Sequence, residues 1–177
     1  MIEVGDVSAA LTLAGQYGDL GLILLDIYMP GMSGLDALDS FRTQLGVVLQ
    51  DTFLFDGTIE ENIVLGRSYV PYSDVRWALR FTELEEEIDA LPQGIKSHVR
   101  TPGKVLAPTH IMRILLARAI LARPQILIFD GIMHNMQPTM RETIIRRLCS
   151  KDEPWSVVFV SNDPNLTPHV DRRIIID

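Results

Sequence analysis

Residues 43–63, TQLGVVLQDTFLFDGTIEENI, decide the fold of this chain. The apolar run Leu45–Leu49 predicts a buried strand that leads into a loop. Three apolar residues follow at Phe53–Phe55, and we call them the plug. Thr58 stands three residues before Glu61, which is the spacing of a capping box and predicts the start of a helix. A buried strand, a loop and a capped helix in this order are typical of an α/β fold.

The composition limits the class of protein. A chain of 177 residues is long enough for one domain with its own core. Its 16 basic and 23 acidic residues give a net charge of −7, which argues against nucleic acid as a partner because phosphates need a basic surface. The single cysteine, Cys149, excludes an internal disulfide and fits a reducing compartment. No apolar run approaches the roughly 18–20 residues of a membrane span, so we expect a cytoplasmic chain with no direct membrane insertion.

Apolar runs alternate with amphipathic segments along the chain. This pattern predicts a parallel-rich sheet flanked by helices on both faces. The predicted strands are Ile2–Val4, Leu22–Leu25, Gly46–Leu49, Ile126–Phe129, Val157–Val160 and Arg173–Ile176. The predicted helices are Val7–Gln16, Leu35–Leu45, Ile59–Val64, Ser73–Phe81, Leu84–Ala90, Thr109–Ala122 and Met140–Cys149. Residues 67–104 contain no strand-like run and predict a helical insertion in the α/β framework.

Residues 39–177 resemble the nucleotide-binding domain of ATP-binding cassette (ABC) transporters. Residues 43–63 match the region around the family's glutamine loop, and Arg123–Asp130 matches the Walker B strand. The resemblance implies a P-loop NTPase-like fold, ATP and magnesium as cofactors, and a transmembrane transporter subunit or a second cassette as partner. It also implies that Gln50 and Asp130 lie at the positions of the family's magnesium-site residues.

The signature region departs from the family's Leu-Ser-Gly-Gly-Gln motif. This chain has Leu106-Ala107-Pro108-Thr109-His110 at that place. Ala107 removes the hydroxyl, and Pro108 removes an N–H that the motif offers to the γ-phosphate of ATP. Thr109 adds a side chain where close approach is needed, although it could still cap the following helix. We expect His110 to be a partly exposed residue of the first helical turn and not a catalyst.

Other positions that carry the family's chemistry are also changed. Gly131 stands where the resemblance places the glutamate that orients the attacking water, and glycine cannot accept a proton. Asn162 stands at the switch histidine and can donate a hydrogen bond but cannot carry a charge. The loop His134–Gln137 lacks the family's aspartate. No catalytic residue is therefore assigned, and the candidates for nucleotide binding are Gln50, Asp130, Ser8 and Asn162.

The first 38 residues differ from the rest of the chain in the sequences that they resemble. Asp19–Leu38 resembles the third strand and following loop of a response-regulator receiver domain, and the chain would then start with a flavodoxin-like βαβ unit. This resemblance implies that Asp26 accepts a phosphoryl group. The receiver's acidic pair, hydroxyl residue and lysine have no counterpart here. A competing interpretation places Gly5–Ser8 at the ABC phosphate loop, with Asp6 in place of the lysine, where its carboxylate would repel a triphosphate. An accidental likeness in a plain βαβ unit is the third interpretation.

Three functions remain open at this point. The leading hypothesis is a degenerate ABC ATP-binding domain that is inactive alone and acts by binding a transporter or cassette partner. The plug is the candidate contact for that partner. The alternative is that the plug packs in the core. Such a chain would be peripheral at the inner face of the membrane. The second is a receiver-type phosphoacceptor at Asp26. The third is a recombined or engineered chimera of receiver and ABC fragments with no selected function, joined near residues 34–40.

Overall fold

The computed structural model describes residues 44–49, 52–67, 69–101, 104–131, 136–161 and 163–173. All of them except Gln44 belong to one compact unit, Leu45–Asp177. The predicted elements before residue 44 lie outside the described residues. Among the described helices, none combines the length and the apolar character that crossing a bilayer requires.

Among the described residues, three parallel strands form the larger of two sheets. They are β1 (Leu45–Val48), β4 (Ile126–Asp130) and β5 (Ser156–Val160), with β4 between the other two. The register pairs Val48 with Phe129, and Phe129 with Phe159. The predicted parallel sheet flanked by helices is confirmed.

The two faces of the sheet differ in burial. Leu127 and Phe129 on the central strand are almost fully buried, and the ring of Phe129 stacks on that of Phe159 with centroids 5.5 Å apart. Val47 and Val158 on the opposite face are 43% and 46% exposed. The predicted fully buried Leu45–Leu49 strand is therefore only half-buried, and its pattern alternates because one face meets the core.

Five α-helices lie in the described ranges and surround or extend the sheet. They are α1 (Ile59–Val64), α2 (Tyr72–Phe81), α3 (Glu85–Asp89), α4 (Pro108–Leu121) and α5 (Pro138–Leu148). Short 3-10 turns cover Gly94–Lys96 and Pro164–His169. The predicted capping box is confirmed at the start of α1, where Thr58 and Glu61 hydrogen-bond in both directions. Helix α4 packs against α1, α2 and β1 and carries apolar residues on all sides, so it is the central helix of the core.

Gly46 allows α4 to lie close to the sheet. A Cβ atom at this position would lie 2.5 Å from Leu127 Cδ2 and 3.0 Å from the carbonyl oxygen of Ala119. The backbone of β1 therefore approaches the C-terminal end of α4 more closely than any side chain would allow.

Several predicted boundaries are wrong. Leu45 begins β1 instead of ending a helix, and Leu49 lies just beyond that strand. The segment 67–104 contains strand residues, since Arg100–Thr101 (β2) pairs antiparallel with Lys104–Val105 (β3). Arg173 is not in a strand. Strands β2 and β3 have two residues each, which is too short for a sequence periodicity to predict them.

Candidate functional site

The carboxyl end of β4 places two of the predicted site residues. Asp130 is the last residue of the strand and is half-buried, because it lies on the less covered face with Ile128. Gly131 follows in a left-handed conformation with φ 65°, and its N–H donates to the Val160 carbonyl at 3.1 Å. A glutamate at Gly131 would be strained in this conformation, so the local backbone suits glycine.

The N-terminus of α4 carries the predicted signature region. Ala107 is the N-cap and Pro108 is the first helical residue, so the helix begins one residue earlier than predicted. Thr109 does not cap the helix, since it lies inside the first turn and the N-cap makes no side-chain hydrogen bond. His110 lies in the same turn with its side chain 30% exposed, as expected.

The amides of this first turn are largely unavailable to an anion. Pro108 has no N–H, and the N–H of His110 donates to the Ala107 carbonyl at 2.8 Å. Thr109 retains the one first-turn N–H that has no acceptor among the described residues. A helix end binds phosphate through several open amides, and this one offers a single amide.

A charged cluster joins α4 to α3 beside this turn. The Arg113 guanidinium is 2% exposed and makes two hydrogen bonds of 2.9 Å to the Glu87 carboxylate. It also donates to the Glu83 carbonyl at 2.7 Å. His110 Nε2 lies 2.5 Å from the same Glu87 carboxylate, while its Nδ1 is buried without a partner. Sequence reasoning missed Glu87 and Arg113, because nothing in the spacing of two residues 26 apart signals a contact.

The hydrogen bonds from Arg113 hold the pKa of Glu87 below its ordinary value, against the opposing effect of burial. A carboxyl whose pKa is lowered on folding stabilises the fold above its unfolded pKa and loses that contribution as pH falls. We expect Glu87→Gln to lower the free energy of unfolding at pH 7 by about 1–2 kcal/mol, a modest value because the Glu87 side chain is 40% exposed.

Urea unfolding at pH 7 and at about pH 3 checks this prediction, since the unfolded pKa of a glutamate is about 4.3. The difference between Glu87→Gln and wild type should shrink at the lower pH. Glu86→Gln, an exposed substitution on the same helix with no ion pair among the described residues, is the matched control and should change little at either pH. An equal loss from Glu87→Gln at both pH values would contradict the ionic origin of the effect.

The plug is exposed at two of its three residues. Phe53 is 77% exposed and Phe55 is 42% exposed, whereas Leu54 packs against the core. The backbone of Phe55 is held at two points by the buried side chain of Asn62, through a 3.0 Å bond from its N–H and a 3.0 Å bond to its carbonyl. Asn62 therefore fixes the backbone of the plug at Phe55, and the side chains of Phe53 and Phe55 are exposed.

The remaining predicted site residues are not placed. Ser8, Asp26, Gln50 and Asn162 lie outside the described residues, and phosphorylation at Asp26 stays a prediction. In the described ranges, no group of three acidic, histidine or cysteine side chains lies close enough to hold a metal ion. Asp130 is the single predicted magnesium ligand in those ranges, and the start of α4 offers one open amide. Among the described residues, the Asp130 carboxylate and the Thr109 N–H are therefore the predicted groups that could contact magnesium or a phosphate.

Comparison with known proteins relates the chain to the ATP-binding proteins of transporters. No family model matches it. It is 31% identical over 140 residues to the multidrug resistance-like ATP-binding protein MdlA of Buchnera aphidicola, covering 78% of this chain and 24% of that protein. It is 31% identical over 152 residues to the uncharacterized ABC transporter ATP-binding protein YwjA of Bacillus subtilis, covering 85% of this chain and 26% of that protein.

A solved structure supports the same relationship. A bacterial Atm1-family ABC exporter with ATP bound matches the fold with a TM-score of 0.66 and 25% identity, over 79% of this chain and 23% of that one. The chain therefore spans about a quarter of the length of each of these three proteins. Across most of its length, the chain is a homologue of the ATP-binding domains of ABC transporters.

Proposed function

We propose that this chain is a degenerate nucleotide-binding domain that does not hydrolyse ATP alone and acts by binding a transporter subunit or a second cassette. One observation carries the proposal: beside Asp130 at the carboxyl end of β4, and at the start of α4, several of the polar groups that the family resemblance implies are missing. Gly131 offers no carboxylate there, Pro108 offers no N–H, and the His110 N–H is already bonded to Ala107. Charge stabilisation of a transferring phosphoryl group needs such groups in place.

ATP is the ligand that the relatives' names indicate, magnesium is the ion that the family resemblance implies, and in this proposal both bind weakly. Gln50, Asp130, Ser8 and Asn162 are the residues that would contact them in this proposal. The proposed organisation is a receiver-like or phosphate-loop segment at 1–38 and a cassette domain at 39–177, with a helical subdomain near 67–104. No step of ATP hydrolysis is assigned to any of these residues.

The proposed contact with a partner is the plug. Two relatives are named as combined ATP-binding and permease proteins, which supports a partner embedded in a membrane. Phe53 and Phe55 supply exposed aromatic area of the kind that anchors an interface. A chain bound in this way would lie at the inner face of the membrane without inserting into it.

Phosphate release from magnesium-ATP by the purified chain tests the loss of activity. We expect the wild type and Asp130→Asn to release phosphate at the same background rate, because no catalytic residue is assigned that would act together with Asp130. Gly131→Glu should not restore turnover, since several groups that act as a unit are absent. Steady turnover by the wild type that Asp130→Asn abolishes would contradict the proposal.

A further inference from the structure

A cavity of about 360 Å³ is lined by the C-terminal half of α2, the last turn of α5 and the turn that follows α5, and we call it the α2–α5 cavity. Its volume is in the range of small-molecule sites in proteins. None of the described residues that the sequence predicts at the nucleotide site lines it. Its lining combines aromatic rings with charges of both signs: Trp77, Phe81, Arg80, Arg147, Asp152 and Glu153.

Aromatic packing forms the apolar part of the cavity. The rings of Trp77 and Phe81 have centroids 5.5 Å apart, and Phe81 meets Trp155 edge to face at 5.8 Å. Phe81 and Trp155 are buried behind the surface, whereas Trp77 is only half-buried. The guanidinium carbon of Arg123 lies 3.3 Å from the centroid of the Trp77 ring and holds that ring in place. Trp77 therefore offers a positioned aromatic surface to a flat apolar group.

The positive charge of the cavity comes from Arg80 and Arg147. Arg147 is fixed, because it donates to the Arg80 carbonyl at 2.9 Å and to the Glu83 carboxylate at 2.8 Å. Arg80 is 56% exposed and donates through Nη1 to one oxygen of Glu85 at 2.9 Å, and the same oxygen lies 2.8 Å from Arg76 Nε. Arg80 therefore shares its counter-charge, and its Nε and Nη2 atoms make no hydrogen bond to a described residue. These atoms can donate to the carboxylate of a ligand.

The negative charge of the cavity comes from Asp152 and Glu153. Asp152 is exposed and forms no ion pair in the described ranges, and Glu153 lies 3.9 Å from Arg123. Neither carboxylate is paired with Arg80 or Arg147 among the described residues, although all four side chains line one cavity. Charges of opposite sign therefore face this space from beyond ion-pair distance of each other. A ligand that carries both charges would complete the two pairs.

We propose that the α2–α5 cavity binds a free aromatic α-amino acid. Its carboxylate pairs with Arg80, its ammonium group pairs with Asp152, and its ring packs on Trp77. A zwitterion suits the lining because a dicarboxylate would meet the acidic turn and a diamine would meet the arginines. The cavity is separate from the start of α4 and the carboxyl end of β4, so this inference does not depend on the proposed function.

A ligand titration of the full chain tests the inference. Both tryptophans of the sequence, Trp77 and Trp155, belong to the aromatic cluster at the cavity, so their fluorescence reports on it. The probe is L-phenylalanine, and phenethylamine, phenylpropionate and L-alanine lack its carboxylate, its ammonium group and its ring in turn. We expect L-phenylalanine to give a saturable change and to bind roughly tenfold more tightly than each of the other three, because each of them loses one charge-assisted or apolar contact.

NMR spectra of the ¹⁵N-labelled chain locate the binding site in the same titration. The indole N–H of Trp77 and the backbone amide of Asp152 should shift with the affinity that fluorescence gives. The absence of a saturable change in both measurements would overturn the proposal. Equal affinities for L-phenylalanine and phenethylamine would overturn it as well, because the carboxylate would then have no partner in the cavity.

Variants assign the two charges. Arg80→Gln should weaken the binding of L-phenylalanine about tenfold and leave that of phenethylamine unchanged. Asp152→Asn should weaken both of these ligands and leave phenylpropionate unchanged. Arg146→Gln, which changes an exposed arginine of α5 outside the cavity lining, should bind all four compounds as the wild type does. If Arg80→Gln keeps the wild-type preference for L-phenylalanine, the proposal is wrong, and the compound series on the wild type remains decisive if a variant fails to fold.

Discussion

Truncation of Phe129 to alanine is expected to lower the free energy of unfolding by about 3–5 kcal/mol. Phe129 lies on the central strand, is 1% exposed, and stacks on Phe159 with ring centroids 5.5 Å apart. The substitution removes the apolar area of the ring and leaves a cavity between the sheet and its covering helices. The surrounding close-packed side chains can fill such a cavity only in part.

Phe53→Ala is the matched control for this prediction. The same change of side chain at a residue that is 77% exposed should alter the free energy of unfolding by less than about 0.5 kcal/mol. Urea unfolding followed by tryptophan fluorescence measures both variants. Equal losses at the two positions would show that the plug belongs to the core, which would contradict both the fold and the proposed docking surface.

Replacement of Asn62 by alanine should lower the free energy of unfolding by about 2–4 kcal/mol. This side chain is fully buried and bonds to the backbone N–H and carbonyl of Phe55 and to the Thr58 carbonyl at 2.9 Å. It also accepts a bond from Arg118 at 3.0 Å. Alanine leaves several of these buried polar groups without a hydrogen-bond partner. A buried unsatisfied group lowers stability by more than its hydrogen bond had contributed.

Asn165→Ala provides the control for Asn62. Asn165 is exposed and its side chain donates to Asp163 at 2.7 Å, so its loss should change stability by about 0.5 kcal/mol or less. Hydrogen exchange adds a local measurement, since the Phe55 amide should exchange much faster in Asn62→Ala than in wild type. Unchanged protection of that amide would show that Asn62 does not hold the plug.

Local patterns in the sequence predict the framework well. The capping box at Thr58 and Glu61 fixes the start of α1, and the apolar run Ile126–Phe129 identifies the central strand. These signals are short-range, because helix caps and strand alternation arise from neighbouring residues. The alternation of apolar runs with amphipathic segments predicts the parallel sheet, which the pairing of β1, β4 and β5 confirms.

Long-range contacts are absent from those predictions for a physical reason. Asn62 meets Arg118, which lies 56 residues later, and Arg113 meets Glu87, 26 residues earlier. Each contact depends on how α4 packs against another helix, and no periodicity encodes that packing. The exposure of Phe53 and Phe55 could not be predicted from sequence either, because three consecutive apolar residues can lie in a core or at a surface.

Calorimetric titration of the purified chain with magnesium-ATP is the most direct test of the degenerate assignment. Because Pro108 offers no N–H and Gly131 offers no carboxylate, we predict no saturable heat at micromolar nucleotide and no continuing heat from turnover. Micromolar affinity together with steady hydrolysis would show that this framework still holds and cleaves a triphosphate, and would contradict the loss of function.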